Sequence, residues 1–149
     1  MMKRSAILLF AVILFGFAVK SVSADQQTWG ALNAQVIELY SQQKYSEAAE
    51  KAKKSLKDAK ETFGPASMQT AQSLNNLALV YEVQEKYSDA EICYKEALPI
   101  MEKTMGVQHP HVATVLKNYI EVLKKEGKTE EAKAMEVRIE KSQESNKGK

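Results

Sequence analysis

The sequence is poor in the residues that punctuate a chain. Its 149 residues include 6 Gly and 3 Pro, too few for a turn-rich all-β fold, a collagen or a low-complexity chain. Its single cysteine, Cys93, excludes a disulfide scaffold and a cysteine-built zinc site. Two histidines, His109 and His111, leave little for an imidazole metal centre. Period-two runs of β-branched residues, the mark of a strand, are absent. A strong excess of one charge is missing too: 21 basic and 19 acidic residues give +2, and no basic stripe marks a nucleic-acid footprint.

The one long hydrophobic run lies at the start. Lys3 and Arg4 precede an uncharged apolar stretch from Ile7 to Val19, and Lys20 ends it. Val22-Ser23-Ala24 then offers small residues for a cut before Asp25. This is the tripartite pattern of a secretory signal, so residues 1–24 are expected to be a signal peptide cleaved after Ala24. At 13 residues the run is short for a membrane helix, which needs about 20; an uncleaved N-terminal anchor is the alternative. Taking Lys3, Arg4 and Lys20 from the basic residues leaves a charge of −1. The expected location is periplasmic or secreted, with no stable membrane insertion once the signal is gone and no nucleic-acid partner.

The remaining chain repeats every 42 residues. Residues 32–64 set against 74–106 show eleven identities, among them Leu32/Leu74, Lys44/Lys86, Tyr45/Tyr87, Ala48/Ala90 and Gly64/Gly106. The period continues with Leu74/Leu116, Asn76/Asn118 and Ala90/Ala132. Repeats of this length signal a solenoid or propeller. Each unit reads as two helices. Leu74, Leu77, Ala78 and Tyr81 form one face of a 3.6-residue period. After the turn Lys86-Tyr87-Ser88, with Ser88 a candidate cap, the spacing resumes at Ala90, Cys93, Tyr94, Ala97 and Leu98. Gly64-Pro65 and Gly106 with Pro110 close the first two units. Ala48, Ala90 and Ala132 are expected to let paired helices approach closely, Cys93 to lie in the core, and Pro99 to kink its helix.

The segment Ala71–Tyr81, with Lys86-Tyr87-Ser88-Asp89-Ala90-Glu91, Tyr94-Lys95-Glu96-Ala97-Leu98, Gly106 and His109-Pro110, resembles a tetratricopeptide repeat, in the 42-residue form of kinesin light chains. The resemblance spans residues 29–141. It implies an all-α fold: an α-solenoid of three helix-turn-helix pairs in a right-handed superhelix. The units fall at about 29–64, 71–106 and 113–141, and a polar tail, 142–149, is expected to fray. Units one and three depart from the pattern, as terminal units do.

The resemblance also implies a concave groove lined by the first helix of each unit. By position its lining is Asn33, Ile37, Tyr40 and Ser41, then Gln72, Asn75, Leu79 and Glu82, then Thr114, Lys117, Glu121, Lys124 and Lys125. Such a wall runs from polar and aromatic to basic and would suit an extended peptide with an acidic end. The carboxylate-clamp pattern of the family is missing: Asn76 matches it, but Asn33, Ile37, Thr114 and Asn118 stand at its other positions. No nucleophile with its base, phosphate loop or carboxylate pair is recognisable. The reading is therefore a non-catalytic adaptor, without metal or cofactor, that binds a protein or peptide partner. The alternative is a structural module that self-associates through the third unit, with Met135 and Ile139 exposed, or an accessory subunit of an envelope complex.

Overall fold

Every unit of the period folds as a pair of helices. A computed structural model describes residues 24–147 and holds α1 (Ala24–Ser41), α2 (Tyr45–Phe63), α3 (Met68–Val83), α4 (Tyr87–Met105), α5 (Pro110–Lys125) and α6 (Thr129–Lys147). No strand occurs among the described residues. The export signal expected over residues 1–24 lies outside them but for its last residue, Ala24. Consecutive helices pack on one another, and α1 also touches α3. The result is an all-α solenoid.

The turn within each unit is the same turn three times. Lys44, Lys86 and Lys128 donate their backbone N–H to the carbonyls of Leu39, Tyr81 and Leu123, at 2.9, 2.9 and 2.8 Å. This bond requires a left-handed residue just before the lysine. That residue is Gln43 (φ 60°), Glu85 (φ 58°) and Gly127 (φ 77°). Only the third unit places a glycine there.

The joints between units differ in their caps. Ser67 caps α3, its hydroxyl accepting from the Thr70 N–H at 3.1 Å. His109 caps α5 through Nδ1, which accepts from the His111 N–H at 3.1 Å, and Pro110 opens the helix. The histidine pair thus shapes a turn. Ser88 does not cap α4: it lies inside the helix, and its hydroxyl donates to Glu126 at 2.6 Å. Helix α4 runs through Pro99 as a single element. Helix α6 reaches Lys147, well into the stretch expected to fray, because no helix breaker precedes Gly148.

The core runs along the stack. Ala48, Ala90 and Ala132 are fully buried, as close helix approach requires. Cys93 is buried, and that burial pushes its thiol pKa up to about 11. It is therefore a core residue rather than a reactive thiol. Trp29 ties unit one to unit two: its indole N–H donates to Ser73 at 2.8 Å, and Ser73 meets Ser55 at 3.1 Å.

Both ends of the stack present polar faces. Buried Leu77/Tyr119 and Val80/Val122 of units two and three correspond to exposed Gln35 and Glu38 on α1. Buried Leu98 on α4 corresponds to exposed Glu140 on α6. Polar outer faces are what capping repeats need. The exposure expected of Met135 and Ile139 is not found. Ile139 is buried and Met135 packs against the core, because both face back toward the stack.

Candidate functional site

The groove residues named from the repeat register separate into three groups. Ile37, Tyr40 and Leu79 come together. With Val36 and Asn76 they line a slot of about 190 Å³ between α1 and α3. The repeat explains the meeting, since Ile37 and Leu79 are 42 residues apart and stand on adjacent first helices. Ile37 is 63% exposed, unusual for a side chain with apolar neighbours within reach. Tyr40 stacks edge-on to Tyr45 at 5.6 Å, and its partial burial raises its hydroxyl pKa.

A second group is turned to holding helices together. Asn33 and Asn75 are buried at 8% and 7% exposure, which corrects their placement on an open wall. The Asn33 amide donates to the Trp29 carbonyl at 3.0 Å and its oxygen accepts from Asn76 at 2.9 Å, joining α1 to α3. Glu82 is half-buried and accepts from the Tyr94 hydroxyl. Burial raises its pKa, against the lowering effect of that hydrogen bond. It is thus a structural carboxylate. Gln72 is exposed on α3, and Ser41 hydrogen bonds the Glu38 carbonyl at 2.7 Å.

The third group is the expected basic end. Lys117, Glu121 and Lys124 line a broader hollow of about 360 Å³, closed on the α6 side by Glu136, Ile139 and Glu140. Its two lysines face three glutamates, so it is not basic. Lys124 pairs with Glu121 at 3.2 Å and with Glu136 at 2.9 Å, and those hydrogen bonds raise its pKa, Glu136 first. The wall therefore does not end in a free basic patch at Lys124. Lys117, Lys125 and Thr114 are exposed, and among the described residues neither Lys117 nor Lys125 makes an ion pair.

Sequence reasoning missed Val36, Asn76 and Glu136 as lining residues. Asn76 carried a signal, its identity with Asn118 one period on. Glu136 carried none, because its role depends on α6 folding back beside Lys124. Among the described residues no three His, Cys, Asp or Glu side chains converge to hold a metal. None of the described helices is long and apolar enough to cross a membrane.

The comparisons with known proteins agree with this architecture. The family model described as a tetratricopeptide repeat matches residues 34–103 and again 69–144. Among solved structures, the chain is similar to BtubC (BKLC) from P. vanneervenii, with a TM-score of 0.72 and 25% identity. The match covers 77% of this chain and 45% of that one, so the chain spans under half the length of BtubC. No curated protein sequence matches.

Proposed function

The chain belongs to the tetratricopeptide repeat family, and from that premise we propose that it is an exported, non-catalytic adaptor binding an extended protein or peptide segment along its concave face. Proteins of this fold generally mediate protein–protein interaction, and the fold alone does not name a partner. The observation that carries the proposal is the slot between α1 and α3. It holds an exposed isoleucine beside Tyr40 and Leu79 in a concave, mostly apolar setting. Partners anchor in such pockets, where a few buried apolar contacts carry most of the binding energy.

The lack of a basic hollow in the third unit changes the kind of peptide that fits. An acidic terminus has no free basic patch at Lys124, so apolar anchoring at the slot contributes most of the affinity. A peptide-display selection against residues 25–149 tests the reading. Selected peptides should bind at least about tenfold more weakly to Ile37→Glu, equivalent to about 1.4 kcal/mol, with the far-UV dichroism unchanged. Peptides that bind the variant equally would remove the concave face as the working surface. Export is proposed on the leader pattern. N-terminal sequencing of the protein recovered from a bacterial envelope fraction should begin at Asp25.

A further inference from the structure

One place in the repeat is built three ways. Residues 40, 82 and 124 are equivalent, as are 52, 94 and 136, and 76 and 118. In unit two the Tyr94 ring is wholly buried and lies 5.9 Å from the Tyr119 ring. Its hydroxyl donates to Glu82 and is hydrogen bonded to Asn118. In unit three Lys124 meets Glu136 at 2.9 Å. In unit one the residue matched to Tyr40 is Ala52, whose methyl group has no polar atom to offer. Tyr40 and Asn76, the equivalents of Glu82 and Asn118, are both walls of the slot. Two of the slot's walls are thus the unit-one equivalents of the groups that meet the Tyr94 hydroxyl in unit two, with no tyrosine of this chain between them.

We infer that the slot receives a tyrosine side chain of the bound peptide, entering from solvent and supplying what Tyr94 supplies from within the next junction. The size agrees. An apolar cavity of roughly 150 Å³ takes up benzene, and this one measures about 190 Å³. The walls agree too. Val36, Ile37 and Leu79 are apolar, and the Tyr40 ring can meet another ring edge-on. Asn76 spends one amide N–H on Asn33, which leaves a second N–H and its oxygen for a phenol. None of the five wall residues carries a charge, so a charged side chain would lose water there without gaining a partner.

The inference rests on the adaptor reading for the peptide that presents the ring, and it is tested separately from it. N-acetyl-tyrosinamide and N-acetyl-leucinamide are titrated into methyl- and amide-labelled protein and followed by NMR. The tyrosine compound should give saturable shifts at the Ile37 and Leu79 methyls and the Asn76 side-chain amide, about tenfold tighter than the leucine compound. Ala52→Tyr rebuilds the arrangement of unit two and should abolish these shifts. Should that variant fail to fold, Ile37→Glu alters only an exposed residue and should abolish them as well. Absence of saturable shifts at low-millimolar probe, or shifts that persist in a folded variant, would overturn the inference. Peptides that bind the concave face without using an aromatic side chain overturn it and leave the adaptor reading intact. A slot that takes the tyrosine compound in a protein that selects no peptide does the reverse.

Discussion

The junction between units two and three is filled by large side chains; the junction between units one and two is built from small ones. At the second junction Tyr94 is fully buried against Tyr119, and Met101 is buried in the same core. Ionic groups accompany this aromatic layer: Glu91 with Lys95 and Lys128, and Glu102 with Arg138. At the first junction the corresponding residues of α2 are Ala49, Ala52 and Ala59. Hydroxyl and amide pairs cross there, Trp29–Ser73–Ser55 and Asn33–Asn76, together with the ion pair Lys60–Glu96. Large side chains bury more area and hold units more firmly. Small ones leave room for a ligand. The same backbone period therefore yields one joint filled by large side chains and one closed by small ones, and the choice is made by side-chain volume at a handful of positions.

Emptying the filled joint should produce the largest effect. Tyr94→Ala removes a ring from the centre of the second junction and leaves Glu82 half-buried without its donor. Loss of about 3–5 kcal/mol is expected in urea unfolding. Tyr94→Phe keeps the ring and should cost about 1–2 kcal/mol. Equal costs for the two variants would show that the hydroxyl, and not the ring, holds the joint.

The charged cluster of the same joint gives a pH signature. Burial alone would raise the Glu91 pKa, but hydrogen bonds from Lys128 and Lys95 and one with Glu126 outweigh it and hold the carboxyl down at about 2. A carboxyl depressed in the folded state binds protons more readily when unfolded. Its stabilisation is complete above the unfolded value of about 4.5 and is lost as pH falls toward 2. Glu91→Gln should cost about 1–3 kcal/mol at neutral pH. The gap between wild type and variant should close between about pH 4.5 and 2. A gap that stays constant through that window would show that Glu91 contributes by shape alone.

How far the sequence discloses this comparison depends on the residue. The 42-residue identities make the helices, the turns and the buried alanines legible, because each rests on a local period. The slot is half legible. Ile37, Tyr40 and Leu79 follow from register, but Ala52 reads only as a departure from the family pattern. Its meaning needs the knowledge that Tyr94 reaches across to Glu82 and Asn118. The charge balance at Lys124 was not legible, since Glu136 lies on another helix. The inward turn of Ile139 was hidden for the same reason. The polar faces of α1 and α6 are present in the sequence, yet they become caps only once the stacking direction is known. They also weigh against end-to-end association, which would bury Glu38 and Glu140.

The turns allow the units to be compared at equal geometry. Glu85 and Gln43 adopt the left-handed conformation that Gly127 adopts at the third turn. Nothing lies within 4 Å of a Cβ built at Gly127, so only the backbone angle matters there. Glu85→Gly and Gln43→Gly should each stabilise by about 0.5–1 kcal/mol, and Gly127→Ala should destabilise by about 1 kcal/mol. Thermal melts of the three variants check this. A destabilised Glu85→Gly would mean that the entropy returned to the unfolded chain exceeds the strain relieved.

The smallest expected effect tests whether the two joints are distinguished by sign as well as by size. Lys60 on α2 pairs with Glu96 on α4 at 2.6 Å. One period later Glu102 on α4 pairs with Arg138 on α6 at 2.5 Å. Lys60 and Glu102 are equivalent, as are Glu96 and Arg138, so the pair recurs with its charges exchanged. The exchange favours the native order, because α2 stacked directly on α6 would set Lys60 against Arg138. The Lys60–Glu96 pair is exposed enough that its strength is modest, about 0.2–1 kcal/mol, whereas Glu102 of the second pair is largely buried. In a double-mutant cycle, Lys60→Glu alone should destabilise by about 0.5 kcal/mol, and adding Glu96→Lys should restore the loss, since like charges are replaced by the arrangement the next joint already uses. Failure of the second change to restore stability would mean that the stems of these side chains, rather than their charges, pack the joint.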